Sequence, residues 1–339
     1  MSLPAPSDRH SALQRWLQQQ PAALGLVPQS LRAASADASF RRYFRLDATG
    51  VAGGSAIVMD APPAHEDCRP FLHVAALLHA AGLNAPHALA QDLAQGFLLL
   101  TDLGPHTYLA ALQSADDPTA DALLADATDA LVRWQLATRS NALPPYDEAL
   151  LRRELNLFPD WYVARHLRRE LTAAQRGLLD ALYRQILDVC LAQPTVFVHR
   201  DYMPRNLMVS TPNPGVLDFQ DAVVGPITYD LASLLRDAFI SWDEARQRDW
   251  ALRYWEQARR RRLPVGEDFA DFWRDLEWMG LQRHLKVLGV FARISYRDGK
   301  PQYLADTPRF VGYIRATARR YDALTPLLRL FDELGLHDG

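Results

Sequence analysis

The segment VFVHRDYMPRNLMVSTPNPGVLDF, residues 196–219, constrains this 339-residue chain more than any other. An apolar run breaks into His199, Arg200 and Asp201, passes four residues, and sets Asn206 before apolar residues resume. Thr211, Pro212, Asn213 and Pro214 carry strong turn chemistry. The flanking residues 207–210 and 215–219 then read as the strands of a hairpin. A four-residue loop makes Ser210 face Gly215, and counting back sets Leu207 opposite Asp218. Asn206 and Asp218 are thereby expected at one mouth of the hairpin, with Asp201 in the loop just before it. Asp and Asn also populate turns for purely local reasons. That reading leaves unexplained the His-Arg-Asp start, the offset to Asn206, and a second acid delivered to the same place.

Such a set of oxygen donors suits a hard cation. Magnesium takes one or two carboxylates together with substrate phosphates, and a neighbouring carboxylate can accept a proton from an attacking hydroxyl. Asp201 is expected to be the base, and Asn206 and Asp218 the magnesium ligands, as in kinases. Only eleven residues separate Asp218 from Asp230, where a helix begins. A protein kinase needs a long activation segment there to build a peptide platform, so the acceptor should be a small molecule.

The rest of the chain organises around this segment. Residues 10–20 read as a short amphipathic helix, 39–46 and 55–60 as strands, 70–82 as a helix closed by Gly82, and 96–104 as a strand ending in a polar turn. From 105 to 190 the apolar spacing is helical, at 196–219 it returns to β, and from 230 onward it is helical again. The expected architecture is α+β and bilobal, a small β-rich lobe over 1–102 and a larger, mostly helical one over 103–339. The net charge of −3 sets up no basic field for nucleic acid. No apolar run approaches the ~18 residues that suggest a membrane span. Cys68 and Cys190 are too few for a disulfide framework, and the first residues lack a basic start followed by an apolar core. A cytoplasmic enzyme is therefore expected.

The stretches VHRDYMPRN, VLDFQDAVVGPITYDLASLLRD and HLKVLGVFARISYRDGKPQYLADTPR resemble the aminoglycoside phosphotransferase and choline kinase superfamily. Together with SADASFRRYFRL and VMDAPP, they look most like its bacterial anomeric sugar kinases of cell-wall recycling. The resemblance implies a protein-kinase-like fold that binds ATP and phosphorylates the C1 hydroxyl of N-acetylmuramate and N-acetylglucosamine. The alternatives are an antibiotic- or choline-type phosphotransferase, and a nucleotide-binding pseudokinase.

The chain departs from the kinase pattern at one place. Protein-kinase-like sites carry a lysine on the third strand for the α- and β-phosphates, held by a glutamate on the next helix. Here that strand has Met59, the helix has no glutamate (Glu66 precedes it), and Lys286 and Lys300 are the chain's two lysines. Ser35 to Ser39, with Asp37 between them, replace the glycine-rich loop. Their hydroxyls and backbone N–H groups can cradle phosphates, and Arg41, Arg42 or Arg45 can add charge. Thr101 and Leu103 lie in a segment that resembles the hinge meeting adenine. On a helix over 281–297, Arg283, Lys286, Arg293 and Arg297 share one ~80° sector. That stripe suits an anionic acceptor or is an ordinary solvated face, and Arg205 is a further acceptor candidate. His199 is expected to orient the catalytic loop, and Asp230 to cap its helix or brace that loop.

Overall fold

The computed structural model describes residues 6–35 and 40–337. The chain divides into two compact units, residues 1–106 with 208–221 and residues 107–207 with 222–339. The sequence reading sets its boundary near 101–105 and places 103–339 in one lobe, whereas the stretch 208–221 groups with the first unit.

In the first unit, helix α1 (Pro6–Gln18) precedes strands β1 (Leu26–Ser35), β2 (Arg42–Ala48) and β3 (Ser55–Asp60), helix α2 (Arg69–Ala80), and strands β4 (Ala88–Asp92) and β5 (Phe97–Thr101). The five strands form one antiparallel sheet in the order β1-β2-β3-β5-β4. Leu46 and Ala48 of β2, Ala56 and Val58 of β3, and Phe97 and Leu99 of β5 pack with Leu13, Trp16 and Leu17 of α1 into one apolar core. Side chains alternate along a strand, so the cross-strand partners Tyr43 and Met59 point to the opposite face. The two strands absent from the sequence reading, β1 and β4, are the sheet's edges. No described side chain of either is buried, so neither leaves a pattern of alternating hydrophobicity. Pro28 within β1 fits an edge strand, where a missing N–H costs no ladder bond.

The second unit opens with α3 (Tyr108–Leu112), α4 (Asp117–Leu136) and α5 (Glu148–Leu155), followed by a π-helical stretch Phe158–His166, α6 (Ala173–Leu191) and strand β6 (Thr195–Val198). Helix starts are marked by oxygen caps: Asp116, Asp147 and Thr172 each accept a backbone N–H, the last in a reciprocal box with Gln175. The hairpin that follows is shorter than its sequence suggests. Its strands are β7 (Leu207–Met208) and β8 (Gly215–Val216), two residues each, and beyond them Asp218 leaves the strand conformation at φ +61°. Within the first unit, Asn84 ties the turn down through bonds to Ser210 and to the Pro212 carbonyl.

The chain then returns to the second unit with β9 (Val223–Pro226), antiparallel to β6. Helices α7 (Tyr229–Leu235), α8 (Glu244–Arg260), α9 (Phe269–Asp298), α10 (Thr307–Ala318) and α11 (Thr325–Glu333) complete it. The aromatic stretch from Phe269 and the basic stretch from Leu281 are one continuous helix of 30 residues. It passes so close to the backbone of Leu157 that a Cβ on Gly289 would lie 2.2 Å from the Leu157 carbonyl carbon. Only glycine allows that approach. Among the described residues, no helix is long and apolar enough to cross a membrane.

Candidate active site

In the second unit, β6 buries Val196, Phe197 and Val198 and delivers His199, Arg200 and Asp201 at its end. The loop they enter is fixed by its backbone. The fully buried Asp230, in the first turn of α7, accepts the N–H groups of His199 at 2.6 Å and Arg200 at 3.0 Å. Burial pushes its carboxyl up to about 7, against the pull of those two donors. The sequence left Asp230 between helix cap and loop brace, and both of these bonds are to the loop. His199 Nδ1 accepts the Asp201 N–H at 3.2 Å. Downstream, Tyr202 anchors the loop by donating to the Ala127 carbonyl.

Asp201 and Asn206 are brought together by one turn. The N–H of Met203 donates to the Asp201 carbonyl and that of Asn206 to the Met203 carbonyl. The Asn206 side-chain nitrogen then donates to the Asp201 carbonyl at 2.9 Å. With its nitrogen committed to the loop, the amide of Asn206 has its oxygen as the group that suits a hard cation. In the first unit, Asp218 is exposed. It accepts from the Gln220 amide at 2.8 Å, while the next residue, Phe219, is buried against Phe71 with ring centroids 4.7 Å apart. A positive φ at a non-glycine residue costs roughly 1–3 kcal/mol and concentrates at functional positions. Arg200, at φ +76°, shares this strain with Asp218.

Arg200 is held by a residue that the sequence reading missed. Glu154 of α5 pairs with Arg200 at 2.6 Å and with Lys286 at 2.9 Å, and accepts the Tyr146 hydroxyl. Lys286 also donates to the Tyr229 hydroxyl at 2.9 Å. Burial raises the Glu154 carboxyl, but Lys286, Arg200 and Tyr146 outweigh it and hold the group down at about 2. Burial likewise lowers Lys286 and Arg200, and Glu154 reverses both. The signal was present in the sequence. Glu154 is three residues beyond Leu151 and one before Leu155, on the buried stripe of its own helix, where an acid needs a buried partner.

The proposed basic stripe of α9 does not face one environment. Arg283 is 2 % exposed and donates to the Arg236 carbonyl. Lys286 lies in the Glu154 cluster rather than on an open face, Arg293 is half-buried, and Arg297 pairs with its neighbour Asp298. Arg205 stands apart from these. Its guanidinium lies 5.1 Å over the Phe239 ring and donates to the Tyr303 hydroxyl at 3.4 Å, beside Phe291.

Among the nucleotide candidates, Ser35 ends β1, and Asp37 and Ser39 lie outside the described residues. Thr101 ends β5 and accepts the His87 N–H through its hydroxyl. Leu103 is half-buried. Between them Asp102 accepts Arg45, Ser55 and the Gly104 N–H, so this segment is tied to the sheet. Among the described residues, no group of three His, Cys, Asp or Glu side chains could hold a metal.

Residues 30–265 match the model of the phosphotransferase enzyme family. The chain is 54% identical over 313 residues to the N-acetylmuramate/N-acetylglucosamine kinase of Pseudomonas putida, covering 92% of this chain and 91% of that protein. It is 49% identical over 330 residues to the Neisseria meningitidis protein of the same name, covering 96% of each. Among solved structures, it resembles an ADP-bound aminoglycoside phosphotransferase, with TM-score 0.61 at 14% identity over 92% of this chain and 99% of that one. It also resembles a choline/ethanolamine kinase family protein from Mesorhizobium loti, with TM-score 0.62 at 13% identity over 95% and 98%. The fold is thus the kinase-like one those proteins share, and this chain belongs to the phosphotransferase enzyme family.

Proposed function

We propose that this chain is an ATP-dependent kinase that phosphorylates the C1 hydroxyl of N-acetylmuramate and N-acetylglucosamine, in the cytoplasm, as part of cell-wall sugar recycling. The observation that supports the reading is the Asp201–Asn206 turn, an aspartate and an asparagine held together by hydrogen bonds, in a chain about half identical to kinases named for those two sugars. Asp201 takes the proton of the C1 hydroxyl as its oxygen bonds the γ-phosphorus. The bond to the β,γ-bridging oxygen breaks and ADP leaves. Asn206 and Asp218 are the oxygen donors that would hold magnesium, which when bound neutralises charge on the transferring phosphoryl group. Asp230 and His199 keep Asp201 in place. Ser35, Asp37, Ser39 and the 101–103 segment serve the nucleotide.

A capped acceptor tests the choice of hydroxyl. N-acetylglucosamine should yield ADP in a coupled assay and its methyl glycoside, with C1 blocked, should not. Equal turnover of both would reject the anomeric assignment, and preferred turnover of cationic aminoglycosides or choline would reject the sugar.

For the acceptor we propose Arg205, with Arg293 at longer range. Lys286, paired inside the fold, is left out of this set. Arg205 is the group suited to the lactyl carboxylate, which N-acetylmuramate has and N-acetylglucosamine lacks. A hydrogen bond to a charged group contributes about 1.5–3 kcal/mol. Arg205→Ala should therefore lower kcat/KM for N-acetylmuramate by about tenfold or more and leave N-acetylglucosamine within about threefold. A parallel fall on both sugars would assign Arg205 to the loop instead.

A further inference from the structure

The missing third-strand lysine leaves a question of charge that the first unit answers by itself. Met59, on β3, is fully buried, and both lysines of the chain lie in the second unit. Three arginines stand just before β2 or within it, and their partners separate them.

Arg42 pairs with the buried Asp60 at 2.5 Å. Asp60 also holds Arg9 of α1, whose guanidinium lies over the Phe97 ring. Arg42 therefore belongs to the face that α1 covers. Arg45 makes two bonds to Asp102, at 2.5 and 2.9 Å, and a third to the Gly104 carbonyl. It fastens the segment after β5 to the sheet.

Arg41 differs from both. It lies one residue before β2 begins, two before Tyr43, whose cross-strand partner is Met59. Its partner is Glu66, at 2.8 Å, with both side chains largely buried at 12% and 17% exposure. Glu66 lies just ahead of α2, and Arg41 follows directly on the 35–39 segment read as the phosphate loop.

We propose that Arg41, held by Glu66, meets the α- and β-phosphates of the nucleotide in place of a third-strand lysine. The inference rests on the ATP-dependent reading above. It supplies from just before the neighbouring strand the cation–carboxylate pair that protein-kinase-like sites build from β3 and the next helix. A guanidinium carries five N–H donors in a planar fork, and that fork matches phosphate oxygens. Arg41 is the phosphate ligand, and Glu66 is a positioning residue.

The test compares ADP with adenosine, which has the base and ribose but no phosphate. Binding is measured calorimetrically on wild type, Arg41→Ala, Arg41→Lys and Glu66→Gln, each checked for its melting temperature. Arg41→Ala should weaken ADP by about tenfold or more, the scale of one charge-assisted bond, and leave adenosine within about twofold. Arg41→Lys should recover part of the loss, because it keeps the charge and not the fork. Glu66→Gln should fall between Arg41→Ala and wild type, with KM for ATP rising and KM for the sugar unchanged. A ratio of ADP to adenosine affinity that stays at the wild-type value would overturn the proposal. Should Arg41→Ala fail to fold, the same ratio in Arg41→Lys and Glu66→Gln decides. A wild-type protein that binds no ADP would instead reject the nucleotide reading itself, and this proposal with it.

Discussion

Asp201→Asn should abolish turnover while leaving the fold as it is. The two parts of that expectation have separate physical origins. The proposed role of the side-chain carboxylate is to take the acceptor's proton, and general-base catalysis of this kind contributes roughly 10²–10⁴-fold. The loop, by contrast, is held through the backbone. The Asp201 N–H donates to His199, its carbonyl accepts from Met203 and from Asn206, and Asp230 secures the two preceding amides. None of these bonds involves the Asp201 side chain. Melting should therefore shift by no more than a few degrees while kcat falls by about 10²-fold or more. Asp218→Asn should behave similarly, since asparagine tolerates the positive φ of that position. Turnover near the wild-type rate in both variants would remove the catalytic assignment.

Glu154 carries the second large effect, and here stability is what suffers. One carboxylate balances two largely buried cations, Arg200 and Lys286. Removing one partner of a buried ion pair typically costs about 3–5 kcal/mol, because the remaining charge is left uncompensated. Glu154→Gln preserves shape and removes the charge, so it should fall in that range in urea unfolding. It should also lower kcat, since Arg200 immediately precedes Asp201. Adding Lys286→Met, which removes one of the stranded cations, should restore part of the stability.

The pH dependence has a defined sign. Glu154 is held at about 2 against an ordinary value of 4.5. Its contribution is complete above 4.5 and is lost as pH falls through 2. Asp230, raised from 3.8 to about 7, acts the other way. Its contribution is complete below 3.8 and is lost as pH rises through 7. Glu154→Gln should therefore flatten the acid limb of the stability profile and leave the neutral limb unchanged. An unchanged acid limb would show that Glu154 is not the group that titrates there.

The parts of this fold legible in the sequence are those whose signal is local. The 3.6-residue spacing marked the long helices, the prolines and Asn213 marked the hairpin turn, and the spacing from Asp201 to Asn206 survives as one hydrogen-bonded turn. Edge strands β1 and β4 escaped because no described side chain of either is buried, so nothing alternates. The hairpin strands were read too long, since they end at Met208 and Val216, and alternation alone does not reveal that Asp218 turns to positive φ. Grouping 208–221 with the first unit depends on partners far away in sequence, such as Asn84 and Phe71. Lys286 was read by helical angle as part of an open stripe. Its environment was set by Glu154, 132 positions earlier, which no periodicity connects to it.

The central claim is that phosphate passes from ATP to the anomeric oxygen, and the product itself tests this most directly. Incubation of the purified protein with ATP, magnesium and N-acetylmuramate, followed by phosphorus–proton correlation NMR, should give a sugar phosphate whose phosphorus couples to the anomeric proton. Coupling to the C6 protons instead, or no sugar phosphate at all from folded protein, would contradict the account.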